Sequence, residues 1–239
     1  MNFDFLKKKD EASLGIIDEN TPFAIREAYK SLFSSILYLN IESKCKKIAV
    51  TSAISGEAKS CLSCNLAVTL AQNLEGKRVL LIDADMREPT VSKLFSISPD
   101  THGLSEYLAG IDQDPHFDYL PKYKLMVLTS GGSNHNPTKL IGSDRMHRLI
   151  KACENEFDYI IIDTPPVNVV SDAVLLNGII NGYLISTRSE RSNVHSLSQC
   201  VTKLEQVGAE IYGIVLSGVK LKGYDGKYSK YSKRYVDGG

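Results

Sequence analysis

The stretch Ala49-Val-Thr-Ser-Ala-Ile-Ser-Gly-Glu-Ala-Lys-Ser-Cys61 has the pattern of a strand end, a loop of small residues and a helix start. Against the phosphate-loop pattern G-x-x-x-x-G-K-[ST], Lys59 and Ser60 match, whereas Ala53 and Ala58 occupy the glycine positions. In such loops, amides at a helix N-terminus bind phosphates, the lysine neutralises them and the hydroxyl binds Mg²⁺. The predicted nucleotide-binding residues are Ser55, Gly56, Glu57, Ala58, Lys59, Ser60 and Cys61. A chance Ala-Lys-Ser at a helix start stays open as the alternative.

Two further predicted strands end in carboxylates. Leu80-Leu-Ile-Asp-Ala-Asp-Met-Arg-Glu-Pro contains Asp83 and Asp85, and Tyr159-Ile-Ile-Ile-Asp-Thr-Pro-Pro contains Asp163. A lone aspartate after a strand is usually a turn former or a helix cap. Three of them together with Lys59-Ser60 instead predict a Mg²⁺ site, because Mg²⁺ prefers a few oxygen ligands beside nucleotide phosphates.

The remaining pattern predicts an α/β fold: a doubly wound, mainly parallel sheet with helices on both faces. Apolar runs without polar alternation are typical of parallel strands that are covered on both faces. An amphipathic helix is expected to start at Thr21-Pro22, with the threonine as its cap. The other predicted helices are Ser60–Asn73, Ser143–Glu154 and Val194–Val207; the predicted strands are Lys47–Thr51, Arg78–Asp83, Leu125–Leu128, Tyr159–Asp163, Tyr183–Thr187 and Ile211–Leu216.

Composition and charge exclude several classes of protein. The 239 residues are 43% apolar and 23% charged, and no apolar run approaches the roughly 18 residues of a membrane span. The N-terminus lacks a secretory pattern, so a cytoplasmic location is predicted. A net charge of zero gives no case for nucleic-acid binding. The five cysteines are expected to be reduced thiols, and Cys61-x-x-Cys64 is interpreted as helix packing, with redox or metal chemistry as the alternative.

We predict three parts: a flexible N-terminal arm (1–19), a nucleotide-binding domain (20–219) and a tyrosine-rich tail (220–239). The tail holds five lysines and one arginine against two aspartates, a net charge of +4. Its tyrosines are Tyr224, Tyr228, Tyr231 and Tyr235. Their spacing could form an aromatic helical stripe, but the tail glycines, each costing a helix about 1 kcal/mol, favour a flexible tail with accessible hydroxyl groups.

From about Asn20 to its end, the chain resembles the bacterial tyrosine kinases of capsule and exopolysaccharide synthesis, which share the fold of the deviant P-loop ATPases. The resemblance rests on the Ser55–Ser60 loop, Leu80–Pro89, Ile160–Pro166, Gly103–Gly110, Asn136-Pro137, Gly213–Leu216 and the tyrosine cluster. Relatives that position division sites and partition chromosomes carry an extra lysine where this chain has Ile54, and they lack the tyrosine tail. The resemblance therefore favours the kinase.

The resemblance implies ATP and Mg²⁺ as cofactors and a role for each site residue. Lys59 would hold the phosphates, Asp83 would accept the tyrosine proton, and Arg87 would contact the site near the same strand end. Ser60 would bind Mg²⁺ directly, with Asp85 and Asp163 orienting its waters. The four tail tyrosines would be phosphorylated by a neighbouring subunit.

The resemblance also implies partners: a membrane adaptor of the polysaccharide co-polymerase type, a cognate phosphotyrosine phosphatase, and further copies of the chain in a ring. The adaptor would hold the protein at the inner face of the cell membrane. The chain departs from the family at two places. Ala58 replaces a glycine close to the phosphates, which predicts weaker nucleotide binding or turnover. The subunit-contact motif E-x-x-R-x-x-R reads Glu27, Lys30 and Phe33 here, which weakens the expectation of a ring.

Two other functions are weighed against the kinase. One is a positioning-type ATPase switch that dimerises on ATP, with the tail as an interaction arm. The other is a nucleotide-binding regulator that has lost phosphate transfer through Ala58 and the altered contact motif. Phosphotyrosine on the tail would distinguish the kinase from both.

Overall fold

The computed structural model describes residues 15–98, 102–132 and 136–219. The helices in these ranges are α1 (Phe23–Leu37), α2 (Lys59–Asn73), α3 (Val91–Phe95), α4 (Leu104–Ala109), α5 (Pro137–Ile141), α6 (Asp144–Glu156) and α7 (Val194–Gln206). The strands are β1 (Lys46–Ser52), β2 (Val79–Asp83), β3 (Asp118–Leu120), β4 (Leu125–Leu128), β5 (Tyr159–Asp163), β6 (Gly182–Arg188) and β7 (Ile211–Ser217). Short 3₁₀ turns cover Pro121–Tyr123 and Val174–Leu176.

Within the described residues, the strands form one sheet in the order β3-β4-β2-β5-β1-β6-β7. All neighbours are parallel except β3, which pairs antiparallel with β4 at one edge. The predicted α/β fold with a mainly parallel sheet is therefore confirmed. Every residue of β2 and β5 is buried, as their continuous apolar sequences predict for strands covered on both faces.

Alternation along the strands divides the core between the two faces of the sheet. Leu81 and Ile161 pack with α2 on one face. Leu80 and Ile160 pack with α6 on the other. Because successive side chains of a strand point to opposite faces, one apolar run can fill both layers. The polar residue that ends each run is left at the carboxyl edge of the sheet.

The structure corrects some local predictions. Thr21 does not cap α1: its hydroxyl donates to Asp18 Oδ1 at 3.0 Å, and Pro22 holds the cap position. Helices α3 to α5 and strand β3 were not predicted, because elements of three to six residues are too short to show a period. The predicted longer elements are all present, with bounds shifted by at most two residues.

The described end of the predicted arm contacts the domain. The amide of Ile17 donates to Asn65 Oδ1 on α2 at 2.7 Å, and Asn65 Nδ2 donates back to the carbonyl of Gly15 at 3.2 Å. Ile16 and Ile17 also pack against the α2 side of the core. Contact with the domain therefore begins before residue 20, and residues 1–14 lie outside the described part.

No helix in the described ranges combines the length and hydropathy that a membrane span requires. The predicted phosphorylation sites Tyr224, Tyr228, Tyr231 and Tyr235 lie outside the described residues.

Candidate active site

The register of the sheet brings the predicted carboxylates together. Strands β2 and β5 pair so that Asp83 lies directly opposite Asp163. Strand β1 adjoins β5 and continues into the loop that precedes Lys59. The carboxyl ends of these three strands therefore meet at one edge, where open α/β sheets bind their ligands.

Lys59 is the centre of the cluster. Its Nζ lies 2.6 Å from Asp85 Oδ2 and 3.6 Å from Asp163 Oδ2, and it donates to Ser60 Oγ at 3.1 Å. Burial acts to lower the pKa of Lys59, but the charges of Asp163 and Asp85 outweigh it and raise the pKa. Lys59 is therefore a buried, protonated ammonium group held by carboxylates.

Asp83 is completely buried beside this cluster. It accepts hydrogen bonds from the amides of Asp85 (3.2 Å) and Val91 (3.3 Å). Burial, followed by the charge of Asp163, raises the pKa of the Asp83 carboxyl well above its usual range. A carboxylate in this position is a stronger base than one in water, because its charged form is poorly solvated.

The cluster holds more negative than positive charge, since Lys59 faces Asp83, Asp85 and Asp163. The Oδ2 atoms of Asp85 and Asp163 are buried, and among the described residues Lys59 is the one cation that pairs with them. Buried carboxylate oxygens without donors are costly unless a cation pairs with them. Together with the hydroxyl of Ser60, this oxygen set fits the ligands that Mg²⁺ prefers.

Glu57 braces the phosphate loop instead of pointing its carboxylate at a ligand. Its side chain is 1% exposed and accepts the amides of Ala53 (2.8 Å) and Ile54 (3.0 Å). Ser192, in the loop after β6, donates its hydroxyl to the other carboxylate oxygen. Sequence reasoning placed Glu57 in the loop by position alone, and this bracing role was missed because Ser192 is far away in the chain.

Ala58 adopts a left-handed conformation, with φ 61° and ψ 24°, immediately before α2. For a residue with a Cβ this conformation costs about 1–2 kcal/mol, whereas glycine adopts it freely. The backbone therefore has the shape that the glycine of the consensus loop allows, and alanine maintains it under strain.

We predict that Ala58→Gly stabilises the fold by about 1 kcal/mol, because the left-handed strain is removed. Mg-ATP binding should also tighten several-fold, because no methyl group would remain beside the bound phosphates. Thermal unfolding measures the first effect and calorimetric titration the second.

Lys124→Gly is the matched control. Lys124 is also left-handed, with φ 53°, but it lies between the Pro121–Tyr123 turn and β4. It should gain stability without a change in ATP affinity. An Ala58→Gly protein that binds ATP no tighter than the native chain would contradict the prediction.

Arg87, predicted to contact the active site, is engaged elsewhere. Its guanidinium donates to Asp172 at 2.8 and 3.2 Å and to the hydroxyl of Thr138 at 2.8 Å. Thr138 in turn donates to Asp172 at 2.6 Å. The amide of Arg87 donates to Asp85 Oδ1 at 3.3 Å. Arg87 thus ties the Asp85 loop to α5 and to the segment after β5.

Sequence reasoning missed two further polar residues. Ser63 lies one turn beyond Lys59 on α2 and donates to Asp163 Oδ1 at 2.9 Å. Its spacing of four from Lys59 places both on one helix face, which was a usable signal. Asp172, the buried partner of Arg87, follows β5 by nine residues and carried no local signal.

The cysteines of Cys61-x-x-Cys64 lie on α2 as reduced thiols. Burial raises the pKa of both, and Cys64 is completely buried. A raised pKa disfavours the thiolate that redox or metal chemistry needs. Packing accounts for both residues. Cys61 is partly exposed at the start of α2, and its place beside a nucleotide stays a prediction.

The predicted subunit-contact residues lie on α1. Lys30 Nζ pairs with Glu27 Oε1 of the same helix at 2.8 Å, and both are partly exposed. Phe33 packs partly against the core and so presents less of its side chain to solvent. Lys30 also lines a cavity of about 540 Å³ with Arg26, Gln72 and Lys122. This cavity lies near the C-terminal end of α2, away from the phosphate loop.

Known proteins similar to this chain are consistent with the geometry. A family described as "AAA domain" matches residues 45–214. The tyrosine-protein kinase CpsD of Streptococcus agalactiae is 35% identical over 211 residues, covering 87% of this chain and 90% of that protein. The tyrosine-protein kinase YwqD of Bacillus subtilis (strain 168) is 32% identical over 205 residues, covering 86% and 84%.

A solved structure is also similar to this chain. The kinase domain of the Escherichia coli tyrosine kinase ETK superposes with a TM-score of 0.75 at 34% identity, covering 81% of this chain and 75% of that one.

Proposed function

Because this chain belongs to the family of bacterial tyrosine kinases, we propose that it transfers the γ-phosphate of Mg-ATP to its own C-terminal cluster: Tyr224, Tyr228, Tyr231 and Tyr235. The observation that carries the proposal is the buried group of Lys59, Asp83, Asp85 and Asp163 at the end of the phosphate loop. It combines a cation for phosphate, oxygens for a metal and a carboxylate with a raised pKa.

Nucleotide binding is proposed to exchange the partners of Lys59. Its ammonium group would leave Asp85 for the β- and γ-phosphates, while amides from Gly56 to Ser60 hold the phosphate chain. Ser60, Asp85 and Asp163 are the residues that would hold Mg²⁺. When bound, Mg²⁺ offsets negative charge on the phosphates.

Asp83 is proposed as the acceptor of the tyrosine proton. The phenolic oxygen forms a bond to the γ-phosphorus, the bond to the bridging oxygen breaks, ADP leaves and the proton passes to Asp83. A phenol has a pKa near 10, so a carboxylate with a raised pKa assists its deprotonation. Arg87 contributes by holding the Asp85 loop in place, since its guanidinium is bound to Asp172 and Thr138.

The partners and location follow from family membership and remain part of the proposal. A membrane adaptor would activate the kinase and keep it at the inner face of the membrane, where it would regulate polysaccharide synthesis and export. A phosphatase would reverse the modification. Tail tyrosines would enter the site of a neighbouring copy. The subunit contact on α1 has fewer free charges than the family motif, because Lys30 pairs with Glu27 and Phe33 packs partly against the core.

The test is to incubate the full chain with Mg-ATP and a cytoplasmic adaptor segment, then map phosphotyrosine by mass spectrometry. We expect phosphate on the tail cluster, because its four tyrosines lie within a basic segment that suits approach to a triphosphate. The matched control replaces all four tail tyrosines with phenylalanine, which preserves the tail's size and charge.

Other outcomes favour the two rivals. Release of inorganic phosphate without phosphotyrosine would support an ATPase switch. Binding of Mg-ATP with neither product would support a regulator, which the strained Ala58 would help to explain.

A further inference from the structure

The loop between β6 and α7, residues 189–193, is fastened to the phosphate loop. The Ser192 hydroxyl donates to the Glu57 carboxylate, and the Ser186 hydroxyl donates to the Glu57 carbonyl at 2.5 Å. The amide of Arg188 donates to Ser192 Oγ at 2.6 Å. Because Glu57 also holds the amides of Ala53 and Ile54, the two loops form one connected unit.

This connection places Arg191 against the backbone of the phosphate loop. The Arg191 amide donates to the carbonyl of Arg188 at 3.0 Å, which closes a turn. A Cβ added to Gly56 would lie 2.6 Å from Cζ of Arg191 and 2.8 Å from its Nε. The guanidinium therefore fills the space that a side chain at Gly56 would need.

The positively charged Arg191 side chain is free to contact a ligand. It is exposed, and within the described residues no carboxylate forms an ion pair with it and no side-chain hydrogen bond fixes it. An arginine that rests on a phosphate loop and pairs with no carboxylate of the described residues is available to a ligand. A planar guanidinium both stacks on aromatic rings and donates hydrogen bonds.

The order of strands indicates which part of a nucleotide would lie there. Asp83 and Asp163 end β2 and β5, on one side of β1, whereas Arg191 follows β6 on the other side. The γ-phosphate must reach Asp83 and Lys59 for transfer. A nucleotide that extends from there across the loop toward β6 would bring its nucleoside end to Arg191.

We propose that Arg191 binds the nucleoside half of the nucleotide, with its guanidinium, which lies against Gly56, stacking on the base. The inference rests on the proposed function, since it requires a nucleotide in the phosphate loop. It assigns to the β6–α7 loop a binding role that the phosphate-loop motif does not contain. Glu57 acts with it as a positioning residue, because it joins the two loops.

The experiment measures binding of two probes to the full chain by calorimetry with Mg²⁺: ADP, and inorganic tripolyphosphate, which has no nucleoside. Arg191→Gln should weaken ADP binding about tenfold, the loss expected for one stacked guanidinium. Tripolyphosphate affinity should stay within about twofold of native, since that probe lacks the part that Arg191 would contact. The ADP affinity of Arg191→Lys should lie between those of the native chain and Arg191→Gln, because lysine keeps the positive charge but lacks the planar guanidinium.

Arg148→Gln is the matched control, because Arg148 is an exposed arginine on α6; it should leave both affinities unchanged. Unchanged ADP affinity in Arg191→Gln would overturn the inference. Equal losses for ADP and tripolyphosphate would also overturn it, since they indicate only a general charge effect. A native chain that binds neither probe would contradict the proposed function itself, which distinguishes the two failures.

Discussion

Lys59→Met is expected to abolish tail phosphorylation, with a fall of at least about 10²–10³-fold in the rate of phosphotyrosine formation. The substitution removes the cation that stabilises charge developing on the transferred phosphate, and loss of one such preorganised group costs a factor of this size. The measurement is time-resolved mass spectrometry of the tail with Mg-ATP and the adaptor segment.

The same variant should lose stability in a way that depends on pH. Lys59 holds down the pKa of Asp83 and Asp163 against burial, so its loss raises both further. An acid whose pKa is higher in the folded than in the unfolded state stabilises the fold while protonated. That stabilisation disappears as pH rises from the unfolded pKa through the folded pKa. The melting temperature of Lys59→Met should therefore fall further below that of the native chain at pH 8 than at pH 6. At pH 8 we expect the free energy of unfolding to be lower than native by about 3–5 kcal/mol.

Lys151→Met is the control for Lys59→Met, because Lys151 is an exposed lysine on α6. It should change neither phosphorylation nor the pH dependence of unfolding. Full tail phosphorylation by a folded Lys59→Met protein would refute the proposed role of the cluster.

Asp83→Asn should separate activity from stability. Phosphotyrosine formation is expected to fall about 10²–10⁴-fold, the usual contribution of a general base, because an amide cannot accept the tyrosine proton. The fold without nucleotide should become more stable, because a completely buried charge beside Asp163 is removed. One amide hydrogen bond to the side-chain oxygen can remain. For a chain of this length, a gain of about 1 kcal/mol raises the melting temperature by about 2–4 °C.

Phosphotyrosine formation and thermal unfolding of Asp83→Asn are compared with Asp114→Asn, an exposed aspartate in the loop before β3. That control should match the native chain in both assays. If Asp83→Asn retained phosphotransfer, Asp83 would not be the base. A large drop in its melting temperature would mean that the buried carboxylate stabilises the fold, against the direction of its pKa shift.

The sequence predicted correctly those elements that a pattern of neighbouring residues identifies. Strands β4 and β5 were predicted at their observed bounds, because a buried parallel strand is a continuous apolar run that a polar residue ends. Asp83, Asp85 and Asp163 were named because each ends or follows such a run and parallel strands end at one edge, and Lys59 was named because it matches the phosphate-loop motif. Asp85 and Asp163 lie 2.6 and 3.6 Å from Lys59 Nζ, which agrees with that expectation.

The sequence by itself thus determined the class of fold, the phosphate loop and the identity of the acidic cluster. The tertiary structure alone decided how polar side chains pair across the site: Glu57 with Ser192, Arg87 with Asp172, and Arg191 against Gly56. The physical reason is distance along the chain. A period or a motif reports the environment of neighbouring residues, whereas Glu57 and Ser192 lie 135 positions apart and Arg87 and Asp172 lie 85 apart. Such pairs meet only after the sheet has set the order of its strands.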